Sequence, residues 1–259
     1  MLILLPPSEG KTAPRRGKPL DLDSLAFPTL TASRAEVLSA LHDLCTTDGD
    51  AAWKVLGLGP TQADQVALDA RVLESPTARA DQVYSGVLYD ALHVASLSSA
   101  ARRRATSWLA VTSGLFGLLR PSDRIPAYRL SGDVSLPGIG PVATYWSHRL
   151  DPSVREGAGR GLVVDLRSST YASFWRPGQD LVGRTVSLRV LHEAGGRRTV
   201  VSHFNKATKG RIVRALLEDG AAPSSPARFA DQLRSLGWKV EEAQSARTGT
   251  RFDVIVSDL

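Results

Sequence analysis

Arg120, Arg124 and Arg129 share one short stretch, Ser113 to Leu130 (SGLFGLLRPSDRIPAYRL), with Asp123, Tyr128 and the prolines Pro121 and Pro126. A guanidinium binds a carboxylate or a phosphate through two parallel N–H donors, so three on one segment could clamp an anion. Pro121 excludes Arg120 from the helical region, and Ser122 or Asp123 can close a turn by bonding the backbone. The segment is then a stiff frame that presents charge with little ordering cost on binding. The plainer reading gives the arginines to solvent and the prolines to corners.

Two strand ends carry similar chemistry. The apolar opening Met1 to Leu5 reads as a strand that runs into Pro6-Pro7-Ser8-Glu9-Gly10-Lys11-Thr12. Its Gly-Lys-Thr resembles the end of a phosphate loop, but Pro6 stands where the first glycine belongs, and Pro14 and Pro19 forbid the helix that must follow. Nucleotide hydrolysis by that route is excluded. Ser8 and Lys11 stay as anion-site candidates, because ligands collect at strand ends of α/β sheets. The second end follows the core strand Gly161 to Leu166, where Asp165 leads to Arg167, Ser168, Ser169, Thr170 and Tyr171. A helix from about Asn205 places Lys206, Lys209, Gly210 and Arg214 on one face, opposite Ile212, Val213, Leu216 and Leu217. Such a face is solvated or touches phosphate.

These residues need positioning elements. Trp108 to Thr112 reads as a buried strand, and Leu115 to Leu119 as an apolar turn or half-helix. Ser33 with Glu36 forms a capping-box pattern opening a helix through about Cys45, and another starts near Asp50. Val55 to Val66 (VLGLGPTQADQV) matches the turn of helix-hairpin-helix modules, whose glycines, here Gly57 and Gly59, let backbone amides approach a DNA phosphate. A plain interhelical turn with glycine caps fits as well. Ser98 to Arg104 reads as a helix ending in three arginines. Val182 to Leu191 and Arg198 to Phe204 read as strands paired about the turn Glu193 to Arg197. Arg228 to Leu236 is a helix, Gly237-Trp238 a turn and Phe252 to Val256 a closing strand. Few boundaries interrupt this alternation, which predicts one interleaved α/β domain.

The 259 residues are 42% hydrophobic, enough for a real core. No apolar run has the length of a membrane span, and the start lacks the basic flank of a secretory signal. One cysteine, Cys45, excludes an intrachain disulfide and suits a reducing cytoplasm. The net charge of +6 permits nucleic acid, phosphorylated ligands or anionic surfaces as partners. His42, His93, His148, His192 and His203 show no paired ligand spacing, so neither a metal nor another cofactor is expected.

The opening PPSEGK, the block SGLFGLLRPSDRIPAYRL, the pair Tyr145-Trp146, the strand end Asp165 to Tyr171 and the helix FNKATKGRIVRALL occur together in an order that resembles the YaaA family of bacterial peroxide-stress proteins. The resemblance spans nearly the whole chain. It implies a cytoplasmic protein of the hydrogen peroxide response that keeps free iron low and so limits Fenton damage. It further implies DNA binding by a single mixed α/β domain over 1–259, with a central mixed sheet, surrounding helices, a helix-hairpin-helix element over about 34–75 and a basic cleft. Carried over by position, the family's motifs fall on Pro7, Ser8 and Lys11, on Ser113, Gly114, Gly117, Arg120, Pro121, Asp123, Tyr128 and Arg129, and on Ser202, Lys206, Lys209, Gly210 and Arg214. This chain departs from the pattern in a longer opening, in Ala127 between Pro126 and Tyr128, and in Asn205 before Lys206.

Two expectations of different class follow. In one, the protein takes phosphates of double-stranded or branched DNA with Gly57, Gly59, Ser8, Lys11, Arg120, Arg124, Arg129, Lys206, Lys209 and Arg214. In the other, it is an enzyme on a small anionic molecule, with Asp123, Asp165, Tyr171 or Lys206 as catalytic candidates among the same cations. The structural alternative to both is that Asp123 and Asp165 pair with arginines and fix the loops. No membrane partner is expected.

Overall fold

A computed structural model of the chain describes residues 1–62, 64–200, 202–243 and 248–257, without the side chains of Ser202 and His203. Its central sheet contains β1 (Leu2–Leu5), β3 (Leu109–Ser113), β4 (Gly117–Leu119), β8 (Val163–Asp165), β9 (Thr185–Ala194), β10 (Arg197–Thr199), β11 (Lys239–Glu242) and β12 (Thr250–Val256). The strand order is β11-β12-β9-β8-β1-β3-β4, with β10 paired to β9. β12, β9, β8, β1 and β3 run parallel to their neighbours, while β4, β10 and β11 add antiparallel. Two small ribbons lie apart, β2 (Ala78–Arg79) with β5 (Arg124–Ile125), and β6 (Ser135–Leu136) with β7 (Gly140–Pro141). The fold is mixed α/β.

The unbroken apolar strand LILL forms β1 because both of its faces are covered, and all four residues are buried. Its partners set the register: Leu4 lies opposite Ala110 on one side and Asp165 on the other. From β1 the chain moves to β3 on one flank, whereas β8, β9 and β12 follow on the other. The order therefore reverses between β1 and β8. Loops leaving their carboxyl ends diverge there and leave a crevice.

Helices cover the sheet, among them Thr31–Thr47, Ser99–Trp108, Asp151–Ala158, Ser202–Asp219 and Pro226–Ser235. Local chemistry starts several of them. Ser98 Oγ accepts from the Ala101 amide, and Ser225 Oγ accepts from the Arg228 amide beside Pro226 in the first turn.

Some sequence expectations are corrected. Leu115 and Phe116 form the expected turn, but Gly117–Leu119 is a strand: β4 folds back on β3 as a tight hairpin tied by long-range bonds, Arg34 donating to the carbonyls of Phe116 and Leu118. The helix expected from a Ser33 cap begins at Thr31, because the 3-10 turn Pro28–Leu30 runs straight into it. Glu36, expected to close a capping box, instead accepts from the Tyr145 hydroxyl. Arg102, Arg103 and Arg104 are interior to Ser99–Trp108, and Arg104 reaches across to the Leu217 carbonyl. The second strand of the expected Arg198 to Phe204 pair stops at Thr199, Val201 lies outside the described residues, and the helix already runs from Ser202.

The supposed basic face of that helix is also different in kind. Gly210 is buried where the helix crosses Val87–Leu92, and a Cβ there would stand 2.3 Å from the Leu88 carbonyl oxygen and 2.9 Å from Ala91 Cβ. The crossing needs hydrogen at that position. Gly210→Ala is expected to lower unfolding stability by about 1–3 kcal/mol through overpacking, while Gly183→Ala, with nothing within 4 Å of its Cβ, stays within about 0.5 kcal/mol of the parent. Urea midpoints of both variants check this; equal midpoints would contradict the tight crossing.

Candidate functional site

The loops after β1 and β8 meet in a crevice of about 310 Å³. Ser8, Glu9, Tyr89, Ser168, Tyr171 and Lys206 are among its lining residues, with Pro6, Val87 and Leu88 as an apolar wall. Tyr89 donates to the Pro6 carbonyl at 2.7 Å, and Ser8 Oγ accepts from the Ser85 amide at 3.1 Å, so the loop is pinned from the opposite side. Tyr171 is held by the Ser131 hydroxyl and the Gly132 amide, and burial pushes its phenol well up. Lys206 stands exposed at the rim. Lys209, one turn further, points under the crevice and donates to the Leu166 carbonyl at 3.2 Å. Burial lowers its pKa against the opposing pull of Asp165. Ser202, a family motif position, has its side chain outside the described residues.

Across the Ser8–Lys11 loop lies a second hollow of about 620 Å³, with Glu9, Lys11, Gln62, Arg71, Tyr128 and Arg129 in its wall. Glu9 and Gly10 border both spaces. Lys11 Nζ donates to the Ser8 carbonyl at 3.0 Å and lies 4.3 Å from the Tyr128 ring centroid. No carboxylate reaches it within ion-pair distance among the described residues. Burial brings its ammonium down to about 8, with Arg129 acting in the same direction and Glu9 and Asp69 against it. Behind it, Tyr84, Tyr128 and Ser113 form a buried hydroxyl chain with O···O separations of 2.8 and 2.7 Å. Arg129 pairs with Glu9, and its amide donates to Asp69 Oδ1 at 2.8 Å. Asp69 is fully buried, its Oδ2 has no partner among the described residues, and burial raises its carboxyl to about 7.

Glu9 and Asp69 were not legible as site residues. Asp69 had one usable signal: it falls with Val66 and Ala70 on the inward side of the helix Asp64–Ala70, where an acid is out of place.

The remaining candidates separate. Arg120, expected to present its charge, turns inward: it donates to the Ser107 and Leu109 carbonyls and lies over the Phe27 ring. Asp123 accepts from the Ala26 and Arg120 amides, so both oxygens are engaged in holding the Ser122–Arg124 turn. Asp165 makes a two-point pair with Arg167, which also donates to the Tyr171 and Trp175 carbonyls. Burial pushes Asp165 up, but Arg167 and Lys209 outweigh it and hold the carboxyl below its ordinary range. Arg214 donates to the Leu92 and His93 carbonyls and to Ser96. These groups bind loops to the sheet.

Gly57 and Gly59 sit between the helices Gly49–Val55 and Asp64–Ala70. Gly57 has φ +62°, with its amide bonded to Lys54 and the Leu58 amide to Trp53, which is the Schellman pattern of a helix C-terminus. The Gly59 amide donates to Gln62 Oε1. A basic surface lies around residues 14–19. Lys18 is tied by its carbonyl to Thr77, Arg124 donates to the Thr77 carbonyl, and Pro14 and Arg71 border one hollow. Arg15, Arg16, Lys18, Arg71 and Arg124 are all exposed there, and no ion pair engages them among the described residues.

Two outcomes follow from the titrating groups. Asp69 has a folded pKa near 7 against an ordinary 3.8, so the folded chain binds the extra proton. The stability this gives is complete below about pH 4 and lost as pH rises through 7. Asp69→Asn, which keeps an acceptor for the Arg129 amide, is expected to flatten that fall in urea titrations between pH 4 and 8; an unchanged profile contradicts it. Cys45, the one cysteine, is buried on Thr31–Thr47, and burial followed by the Asp69 charge pushes its thiol up to about 12. Since the thiolate is the reactive form, Cys45 is expected to stay unoxidised in peroxide that converts an exposed reference thiol, as mass spectrometry of the intact protein reads.

Among the described residues no helix is long and apolar enough to cross a membrane. Residues 1–244 match the family model described as peroxide stress protein YaaA. A UPF0246 protein of Streptomyces coelicolor is 49% identical over the full length of both chains. UPF0246 proteins of Corynebacterium efficiens and Corynebacterium glutamicum strain R are 40% and 41% identical, each covering 93% of this chain and 95% of the relative. The opening loop, the arginine-bearing centre and the Ser202–Asp219 helix all lie within the matched span, and the chain belongs to the YaaA family of peroxide stress proteins.

Proposed function

We propose that the protein binds duplex DNA in the cytoplasm without reading its sequence, and by covering it limits iron-dependent damage during peroxide stress. The observation that carries this is the exposed basic surface of Arg15, Arg16, Lys18, Arg71 and Arg124, which no ion pair engages among the described residues. Solvated cations held on a proline-stiffened loop release phosphate counterions at small ordering cost. Family membership supports the peroxide context, and the net charge of +6 supports attraction to a polyanion. Arg120 and Arg214, engaged with backbone carbonyls, serve the frame in this reading.

Binding to a short duplex, followed by fluorescence anisotropy across a salt series, tests it. Replacing Arg15, Arg16 and Lys18 together by Gln is expected to weaken binding for all sequences alike and reduce the log–log salt slope by about 3, one for each cation withdrawn from a phosphate. Binding that is absent, insensitive to salt or unchanged in the triple variant overturns the reading.

A further inference from the structure

The hollow across the Ser8–Lys11 loop has no place in phosphate binding by an open surface. Lys11 enters its wall with an ammonium that has one backbone acceptor, two aromatic faces and no carboxylate partner among the described residues. A partly buried cation with so little compensation is costly, and the cheap resolution is loss of its proton or arrival of an anion. Around it stand Arg129 and Arg71, which suit a carboxylate, and the Gln62 amide. Arg129 is only partly committed: Glu9, its partner, is exposed, and its buried Nε has no acceptor among the described residues. The groups whose charge acts on Lys11 are Glu9, Arg129 and Asp69, and the faces packed on it belong to Tyr84 and Tyr128.

We propose that this hollow is a small-molecule site for a carboxylate-bearing aldehyde or 2-oxo acid, with Lys11 as the amine that condenses with the carbonyl and Arg129 as the partner of the carboxylate. The step balances without a redox partner. The Nζ lone pair adds to the carbonyl carbon, the carbonyl oxygen takes up the proton that Nζ loses, and the resulting hydroxyl takes a second proton from solvent and leaves as water, so that the nitrogen lone pair closes a protonated C=N bond. A Lys11 pKa near 8 instead of 10.5 raises the free-amine share near neutrality on the order of a hundredfold. A cation next to a desolvated lysine is a known way to keep it nucleophilic, and Arg129 stands in that position.

The test uses the intact protein with glyoxylate as probe and cyanoborohydride to trap the adduct, followed by peptide mapping of the six lysines. Lys11 is expected to carry most of the modification at low occupancy. Glycolaldehyde, of similar size and without the carboxylate, is expected to label Lys11 about tenfold less, the ratio that one charged hydrogen bond gives, while exposed Lys18 and Lys54 show no such preference. Lys11→Arg, checked for folding by circular dichroism, is expected to abolish the selective adduct. The wild-type map alone decides if that variant does not fold. Labelling spread evenly over the exposed lysines, an unmodified Lys11, or equal labelling of Lys11 by the two aldehydes overturns the proposal. DNA binding is read separately, so neither result bears on the other.

Discussion

A centre built largely of short strands and turns buries more backbone carbonyls than a sheet can pair, and each needs a donor. The chain answers with arginine. Arg34, fully buried, donates to Ala26, Phe116 and Leu118; Arg120 to Ser107 and Leu109; Arg167 to Tyr171 and Trp175; and Arg214 to Leu92, His93 and Ser96. A guanidinium suits the task because its five donors form a rigid fork that joins carbonyls from two or three segments at once. Asp123 is the complementary device, an acceptor for two amides of the same region. Without these links the β3–β4 hairpin and the loop to Leu130 would leave the sheet unsupported.

That constraint divides the cations into two populations. Inward arginines are structural, and their charge is spent on backbone dipoles. Among the cations that face solvent or a cavity with no carboxylate in ion-pair reach among the described residues are Arg15, Arg16, Lys18, Arg71 and Arg124 on the surface, Lys206 at the crevice rim, and Lys11 in its hollow. The two hollows share the loop after β1, which lies where the strand order reverses. A helix pair crossing tightly at Gly210 and a phenol bonded to Pro6 hold that loop in place. Its rigidity keeps the Lys11 amine within reach of the cavity while Ser8 supplies one acceptor only.

Several features were decided locally. The run LILL specified a strand covered on both faces, Gly57 specified a left-handed helix end, and Ser98 specified a helix start, because each depends on one residue's conformational or hydrogen-bonding preference within a few positions. Mixed α/β architecture and family membership were legible for the same reason: alternation and ordered motifs are properties of the chain itself. Helix starts such as Ser33 were misplaced where Pro28, upstream of the pattern, already supplied a turn.

The sequence by itself therefore determined most of the longer elements, the charge and the positions of the motifs, since these follow from short-range preference and composition. Only the tertiary structure decided what the motif residues do. Arg120 and Arg129 look alike in the chain, yet one meets the Ser107 and Leu109 carbonyls and the other Glu9 at the edge of a hollow. Asp69 carries no motif at all, and its raised proton affinity arises from burial, which outweighs the opposing pull of Lys11 and Arg129, residues far away in sequence. Desolvation and pairing depend on what the rest of the chain places within a few ångströms, and that arrangement exists only once the sheet has brought β1, β3 and β8 side by side.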